Sequence, residues 1–392
     1  MKKNNSRMAR ILGIKNTLTG ELMSKRIYIL GAGASKGHTS GGFPTISEFF
    51  KIASKLNLIS DNGDIVKSKY EDLVKYIKEN FDLNILKDNV NIEEVMTNLE
   101  IDIEKSDSYE LIILRNKIVD IIREVLTRLS GKPLWQDSEY NLFYKMINDN
   151  DTILTYNWDI LLDNILGRET VVPNYRKIDK LEETKKPQYK NMWKRLTAVR
   201  DLEWSTEIPY VNYQSEGYYL KLHGSIDWVY CPNRDCSSYS KVFAVDQLDK
   251  KHYCFECGSE VQYLIVPPVL NKNFRNIPFM KKLWNFARNE IRIADEVVIW
   301  GYSLPPTDFY SKWLFRQTKE KLKSVSIIDP ECYQRVKGKS QYQRNLKQFL
   351  NPFLELFEHK VGKNKLEYYE KFVDYYEGVN FAEKYGMDKK QK

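Results

Sequence analysis

The chain has 392 residues, 42% hydrophobic and 29% charged, with 18 Gly and 13 Pro. That length suits two or three domains of roughly 150 residues and buries a core without covalent staples. The composition excludes a disordered or collagenous chain, and Lys plus Arg (61) over Asp plus Glu (53) leaves +8, which permits nucleic-acid contact without demanding it.

Short β-rich runs ending in small or polar residues predict buried strands. In chain order, Arg26 to Leu30 runs into Gly31-Ala32-Gly33-Ala34-Ser35. Residues 45–150 then read as a long, mostly helical insert, with helix-period stretches at Glu71 to Phe81, Glu110 to Leu129 and Leu142 to Ile147. Thr152 to Thr155 leads into Tyr156-Asn157, and 168–216, rich in Lys, Glu, Tyr and Pro, reads as a long loop or cap. Tyr218 to Leu222 leads into His223-Gly224-Ser225, and Tyr263 to Val266 into Pro267-Pro268. A helical stretch, Lys282 to Ile293, precedes Glu296 to Trp300 and its Gly301-Tyr302-Ser303. Ser324 to Ile328 leads into Asp329-Pro330, after which the chain turns charged, aromatic and helical. Within 363–378, Tyr368, Phe372, Tyr375 and Tyr376 fall near one helical face, which is expected to pack on the body or on a sister subunit.

Strands alternating with helices predict an α/β fold: a Rossmann-like parallel sheet with helices on both faces, a helical insert and a small four-cysteine module. No apolar run approaches the ~20 residues of a membrane span. The opening MKKNNSRMARILGIK lacks an apolar core and a small-residue cleavage site, so no signal peptide and a cytoplasmic location are expected.

Four of the five cysteines form Cys231-x4-Cys236 and Cys254-x2-Cys257, with seventeen residues between the pairs. Thiolates at that spacing reach one tetrahedral zinc, and two such knuckles close a structural site. Reactive or incidental thiols are the competing reading, and His252 is a reserve ligand. Cys332 stands alone, and disulfides are not needed in a reducing compartment.

In parallel sheets, ligands bind beyond the carboxyl ends of the strands, where the chain crosses over. Four predicted ends carry Gly31–Ser35, Asn157–Asp159, His223–Ser225 and Gly301–Ser303. Each could be an ordinary turn; four converging by topology mean more. The Gly31-x-Gly33 turn would let backbone amides approach a pyrophosphate. It departs from the dinucleotide fingerprint, though, continuing to Gly37, and no acidic residue ends a second strand about twenty residues on. A Walker A loop is excluded, because Tyr333 stands where Gly338-Lys339-Ser340 needs its first glycine. Of the four histidines (His38, His223, His252 and His359), only His223 ends a buried strand, where an imidazole is a natural proton acceptor. A structural histidine is the alternative.

GAGAS at 31–35, TYNWD at 155–159, LHGS at 222–225, the two Cys pairs and ADEVVIWGYSLPPTD at 294–308 occur in sirtuin order. Over roughly residues 24–330 the chain resembles the bacterial sirtuin-like branch associated with antiphage defence, whose members commonly hydrolyse NAD. The resemblance implies an N-terminal extension (1–24), an NAD-binding catalytic domain (25–330, with the insert at 45–150 and the zinc module at 228–262) and a C-terminal helical region (331–392). It implies that Asn157 holds the ribose or an attacking water, that Asp159 lines the nicotinamide pocket, and that His223 is the general base. Gly31, Ala32, Gly33 and Ser35 would take the pyrophosphate, Gly301 and Ser303 the adenosine side, and Asp329 the adenine ribose.

Departures from the deacylating pattern favour hydrolysis. Gly42-Phe43-Pro44-Thr45-Ile46 replaces the Asp-Phe-Arg segment, Tyr156 replaces a Gln, and IVPPVLNKNF (265–274) replaces a Phe-Gly-Glu segment. NAD+ glycohydrolase is therefore expected, with NAD-dependent protein deacylase as the alternative. A non-enzymatic NAD-sensing or nucleic-acid-binding zinc module is the third class. Its candidate basic stretches, Lys185-Lys186 to Arg200 and the C-terminal lysines, read as solvated surfaces. Homo-oligomerisation, or a separate partner such as a HerA-type ATPase, is expected to gate the activity.

Overall fold

The computed structural model describes residues 24–59, 69–106, 108–130, 138–148, 150–166, 217–239, 242–245, 248, 251–266, 278–305, 308–337, 353–362 and 365–385. The expected loop at 168–216 lies outside the described residues, as do residues 1–23 and most of IVPPVLNKNF.

A six-stranded sheet forms the centre, in the order β3-β2-β1-β7-β8-β9. Its strands are β1 (Arg26–Leu30), β2 (Thr152–Thr155), β3 (Tyr219–Lys221), β7 (Glu296–Trp300), β8 (Ser324–Ile328) and β9 (Leu366–Tyr369). Every pairing is parallel. The sequence of β1 shows why it sits centrally: Tyr28 and Leu30 enter one core, Ile27 and Ile29 the other, and all four are fully buried. Each such burial contributes about 1.5–3 kcal/mol. β7 repeats the alternation, with Val298 and Trp300 on the first face and Val297 and Ile299 on the second.

The first core is roofed by α1 (Ala32–His38) and by the insert: α2 (Phe49–Lys55), α3 (Glu71–Phe81), α4 (Ile92–Ser106), α5 (Tyr109–Ser130) and α6 (Glu139–Met146). α3 starts and stops where its periodicity predicts. It ends because Asp82 adopts the left-handed conformation (φ 53°), which breaks the helical repeat. The second core is closed by α8 (Pro278–Ile293), α9 (Phe309–Arg316), Cys332 of α10 (Pro330–Lys337) and a helix over 353–361. α7 (Leu161–Leu166) follows β2 on the first face. Among the described residues no helix is long and apolar enough to cross a membrane.

Two expectations change. Tyr263 to Val266 does form a strand, β6 (Gln262–Ile265), but it belongs to a separate antiparallel sheet, β5-β4-β6, with β4 (Gly224–Tyr230) and β5 (Val242–Ala244). A short apolar run marks a strand without naming its partner. The 363–378 segment is not one helix. Leu366–Tyr369 pairs in parallel with β8, so the sheet continues past residue 330, and α12 (Phe372–Tyr385) begins after it. The aromatic stripe divides accordingly: Phe372 and Tyr375 are buried in the first core, whereas Tyr368 packs against the second. α11 denotes the helix over 353–361 that precedes β9.

Candidate active site

Strands β1, β2 and β3 step outward in one direction and β7, β8 and β9 in the other, so the order reverses between β1 and β7. At such a switch point the loops leaving neighbouring strands diverge and a crevice opens beyond their carboxyl ends. A cavity of about 540 Å³ lies there, within the roughly 300–1,000 Å³ range of small-ligand sites. Gly31, Ala32, Gly33, Ser35, Asn157, Asp159, His223, Gly301, Ser303 and Asp329 all line it. The structure thus brings all ten residues predicted for catalysis and NAD binding to one place.

The two sides of the switch point touch through backbone. Gly31 N–H donates to Trp300 O (3.0 Å) and Gly33 N–H to Gly301 O (2.9 Å). A Cβ on Gly31 would stand 2.5 Å from Gly301 O, and one on Gly301 2.2 Å from Ala34 N, with Gly301 at φ 61°. The glycines of this turn therefore serve close approach of two loops, and the amides of Gly31 and Gly33 are spent inside the protein. Leu304, another lining residue, holds a left-handed φ of 51°, a strained conformation for a side chain of its size.

On the β2 side a polar network binds the loops together. Asn157 Nδ2 donates to Gly31 O (2.9 Å) and Ser35 Oγ (3.0 Å), and Ser35 Oγ donates to Asp159 Oδ2 (2.7 Å). Tyr140 Oη, reaching in from α6, lies 2.9 Å from Ser35 Oγ. Asp159 Oδ1 accepts from Leu161 N (3.0 Å), capping α7. Burial pushes the Asp159 carboxyl above its ordinary range, while nearby Lys221 pulls it down. Lys221 is fully buried, and its Nζ donates to Asp159 O (2.5 Å) and Asp163 Oδ2 (2.9 Å).

His223 comes from the end of β3. Its carbonyl accepts from Val266 N (2.8 Å), and the neighbouring Leu222 O accepts from Trp284 Nε1 (3.1 Å). Its ring meets Tyr156 edge to face at 4.9 Å, and its Nε2 lies 3.6 Å from Asp308 Oδ2. Asp329, at the end of β8, accepts from Cys332 N at Oδ1 (2.9 Å) and so caps α10.

Sequence reasoning missed Asp308, Lys221, Tyr140 and the wall from the insert, where Asn91, Ile92 and Glu93 at the start of α4 line the cavity. Asp308 had a local signal: an Asp standing directly before an apolar, aromatic run is a helix N-cap pattern. Lys221 had none, since nothing local marks a buried lysine.

The four sulfurs of Cys231, Cys236, Cys254 and Cys257 lie within 4.8 Å of one another, with Cys231–Cys257 at 3.5 Å and Cys236–Cys254 at 3.7 Å. Tetrahedral zinc with bonds of about 2.3 Å sets its sulfurs ~3.8 Å apart, so the donor set could hold a zinc ion. Cys254–Cys257 forms a tight knuckle: Gly258 N donates to Cys254 O and Cys254 N to Ser259 O, both at 2.8 Å. His252 is not in the sulfur group.

No protein-family model matches the chain, and no curated protein matches it. Among solved structures, a Sir2 homolog–NAD complex aligns over 92% of this chain and 90% of its own, at 12% identity and a TM-score of 0.37. A Sir2 homologue mutant bound to 2'-O-acetyl ADP ribose covers 95% and 96%, at 12% and 0.40. Sir2 in complex with the inhibitor EX-527, 2'-O-acetyl-ADP-ribose and a deacetylated peptide covers 93% and 95%, at 14% and 0.32. Scores this low carry no argument; the parallel sheet stands on its own strand pairing.

Proposed function

We propose that the chain cleaves the nicotinamide–ribose bond of NAD+ to give nicotinamide and ADP-ribose. The observation that carries this reading is the convergence of Asn157 and His223, from the ends of β2 and β3, on the cavity at the switch point. The chemistry suits such a site. The pyridinium nitrogen is cationic, so nicotinamide departs neutral and needs no general acid, unlike the leaving group of a sugar hydrolase with its paired carboxylates. The site has to favour a positively charged ribose and deliver a nucleophile.

In this reading His223 takes the proton from water or a ribose hydroxyl. Asn157, tied to the 31–35 turn, sets the edge against which the ribose or the water rests. Asp159 faces the nicotinamide end. The pyrophosphate lies along Ala32 and Ser35, in the turn that Gly31 and Gly33 hold against Gly301. Gly301 and Ser303 take the adenosine side, with Asp329 at the adenine ribose. The four thiolates would hold a structural zinc remote from these steps. Thr45 and Ile46 in place of an arginine-bearing segment, and Tyr156 stacked on Tyr302 (4.2 Å, 9°), favour water over an acyl-lysine as the acceptor. The biological role that fits is NAD depletion in antiphage defence, gated by self-assembly or by a separate partner such as a HerA-type ATPase.

Incubation with NAD+ alone, followed by chromatography, tests it. Nicotinamide and ADP-ribose are expected in equal amounts. Asn157→Ala and His223→Ala are each expected to lower turnover by about 10³-fold or more with zinc content unchanged. Turnover that needs an acyl-lysine peptide would assign the deacylase instead, and full activity in either variant would remove the assignment.

A further inference from the structure

The loop leaving β7 carries a carboxylate the reaction above does not use. Asp308 is fully buried, and a carboxylate taken out of water has to be compensated. Its Oδ2 accepts from Tyr302 Oη (2.7 Å) and Ser311 Oγ (2.5 Å), and its Oδ1 accepts from Ser311 N (3.2 Å) as the N-cap of α9. The same Oδ2 is the atom 3.6 Å from His223 Nε2. His223 is 3% exposed, and its ring abuts Tyr156, which stacks on Tyr302. One set of aromatic groups therefore cages both the imidazole and the carboxylate.

We propose that Asp308 is the positioning residue for His223, orienting its ring and supporting the positive charge the ring gains when it takes a proton in the cavity. The proposal rests on the reading of His223 as the base. In the step it serves, the C1′–N bond breaks with its electron pair going to nicotinamide, and the oxygen of water bonds to C1′. The proton that oxygen loses passes to the imidazole and then to solvent. A buried carboxylate beside a catalytic histidine does this work elsewhere without itself becoming protonated. The 3.6 Å separation exceeds a hydrogen bond; such contacts are often long before the ligand seats and tighten afterwards.

The titratable groups facing the pair are Tyr156 from the end of β2 and Tyr302 from the end of β7, with Trp284 of α8 beside them and Tyr310 of α9 behind Trp284. Burial first, then Asp308 itself, push Tyr156 and Tyr302 well above the ordinary phenol range, so both stay neutral. Asp308, accepting three hydrogen bonds, is the carboxylate that this cage holds against the ring.

Asp308→Asn tests this, since Asn keeps the size and is an equally good N-cap. The titration of the His223 ring is followed by NMR in the ligand-free protein, its signal identified by loss in His223→Gln. Asp308→Asn is expected to lower the midpoint by about one pH unit or more, the effect of removing an opposite charge at this range. With NAD+, the acidic limb of the kcat/KM profile is expected to move the same way. In the same variant kcat should fall about tenfold or more while KM changes less than about threefold. Equal midpoints overturn the proposal, and so does a shifted midpoint with an unmoved pH profile. If the parent protein leaves NAD+ intact, the hydrolase reading fails while the ligand-free titration still decides the pairing.

Discussion

In the six-stranded sheet, β1, β7 and β8 bury apolar side chains on both faces, whereas among the described residues the far end of the three-stranded sheet buries Val229, Cys231, Cys254 and Val261 alone. The near end of that small sheet borrows from the main cores, through Trp228 and Leu264 on one side and Ile226 and Ile265 on the other. A four-residue cluster buries too little to order a loop-rich module, a deficit that metal ligation by the four cysteines would make good. The site lies on the self-sufficient sheet. Its residues are held by packing from two sides, and none of those lining the cavity comes from the cysteine module.

The largest expected effect breaks that comparison most directly. Removing zinc with a chelator, or substituting Cys254→Ser, forfeits a binding energy of about 10–16 kcal/mol in small zinc modules. Amide hydrogen exchange should then rise by orders of magnitude at the end of β4, in β5 and across 251–262, while β1, β7 and β8 keep their protection. Equal loss in both sheets would mean that they form one cooperative unit.

A smaller effect is expected inside the parallel sheet. Lys221→Met strands Asp163, which also accepts from Tyr219 Oη (3.0 Å). Orphaning a buried charge costs roughly 3–5 kcal/mol, to be read by urea unfolding. A loss below about 1 kcal/mol would show that packing alone holds β3.

The smallest effect concerns pH. Burial pushes the Asp151 carboxyl, just before β2, from its ordinary 3.8 up to about 6, partly offset by Arg26. The folded protein thus binds a proton more tightly than the unfolded chain. This contribution is fully present below pH ~4 and is lost as pH rises through about 6. Asp151→Asn should therefore reduce the stability difference between pH 4 and pH 7 by up to about 3 kcal/mol. An unchanged difference would place the pH response elsewhere.

Much of the fold is legible from local pattern. Five of the six strands of the parallel sheet stand out as apolar runs closed by turn residues, and α3 is marked by its period and its acidic first turn. Less legible is β9, because Leu366-Glu367-Tyr368-Tyr369 also fits a helical face and is only half-buried. The site follows the same division. Gly31, Asn157, His223 and Gly301 announce themselves at strand ends, whereas Lys221 looks like any strand lysine and Asp308 like any helix cap.

The sequence by itself determined where five strands of the parallel sheet lie and which cysteines can share a metal, because backbone period, turn chemistry and ligand spacing act over a few residues. Only the tertiary structure decided that β6 joins the antiparallel sheet, that β9 completes the parallel one, and that Asp308 stands behind His223. Those outcomes depend on which distant surfaces exclude water together, and no short stretch of chain encodes that.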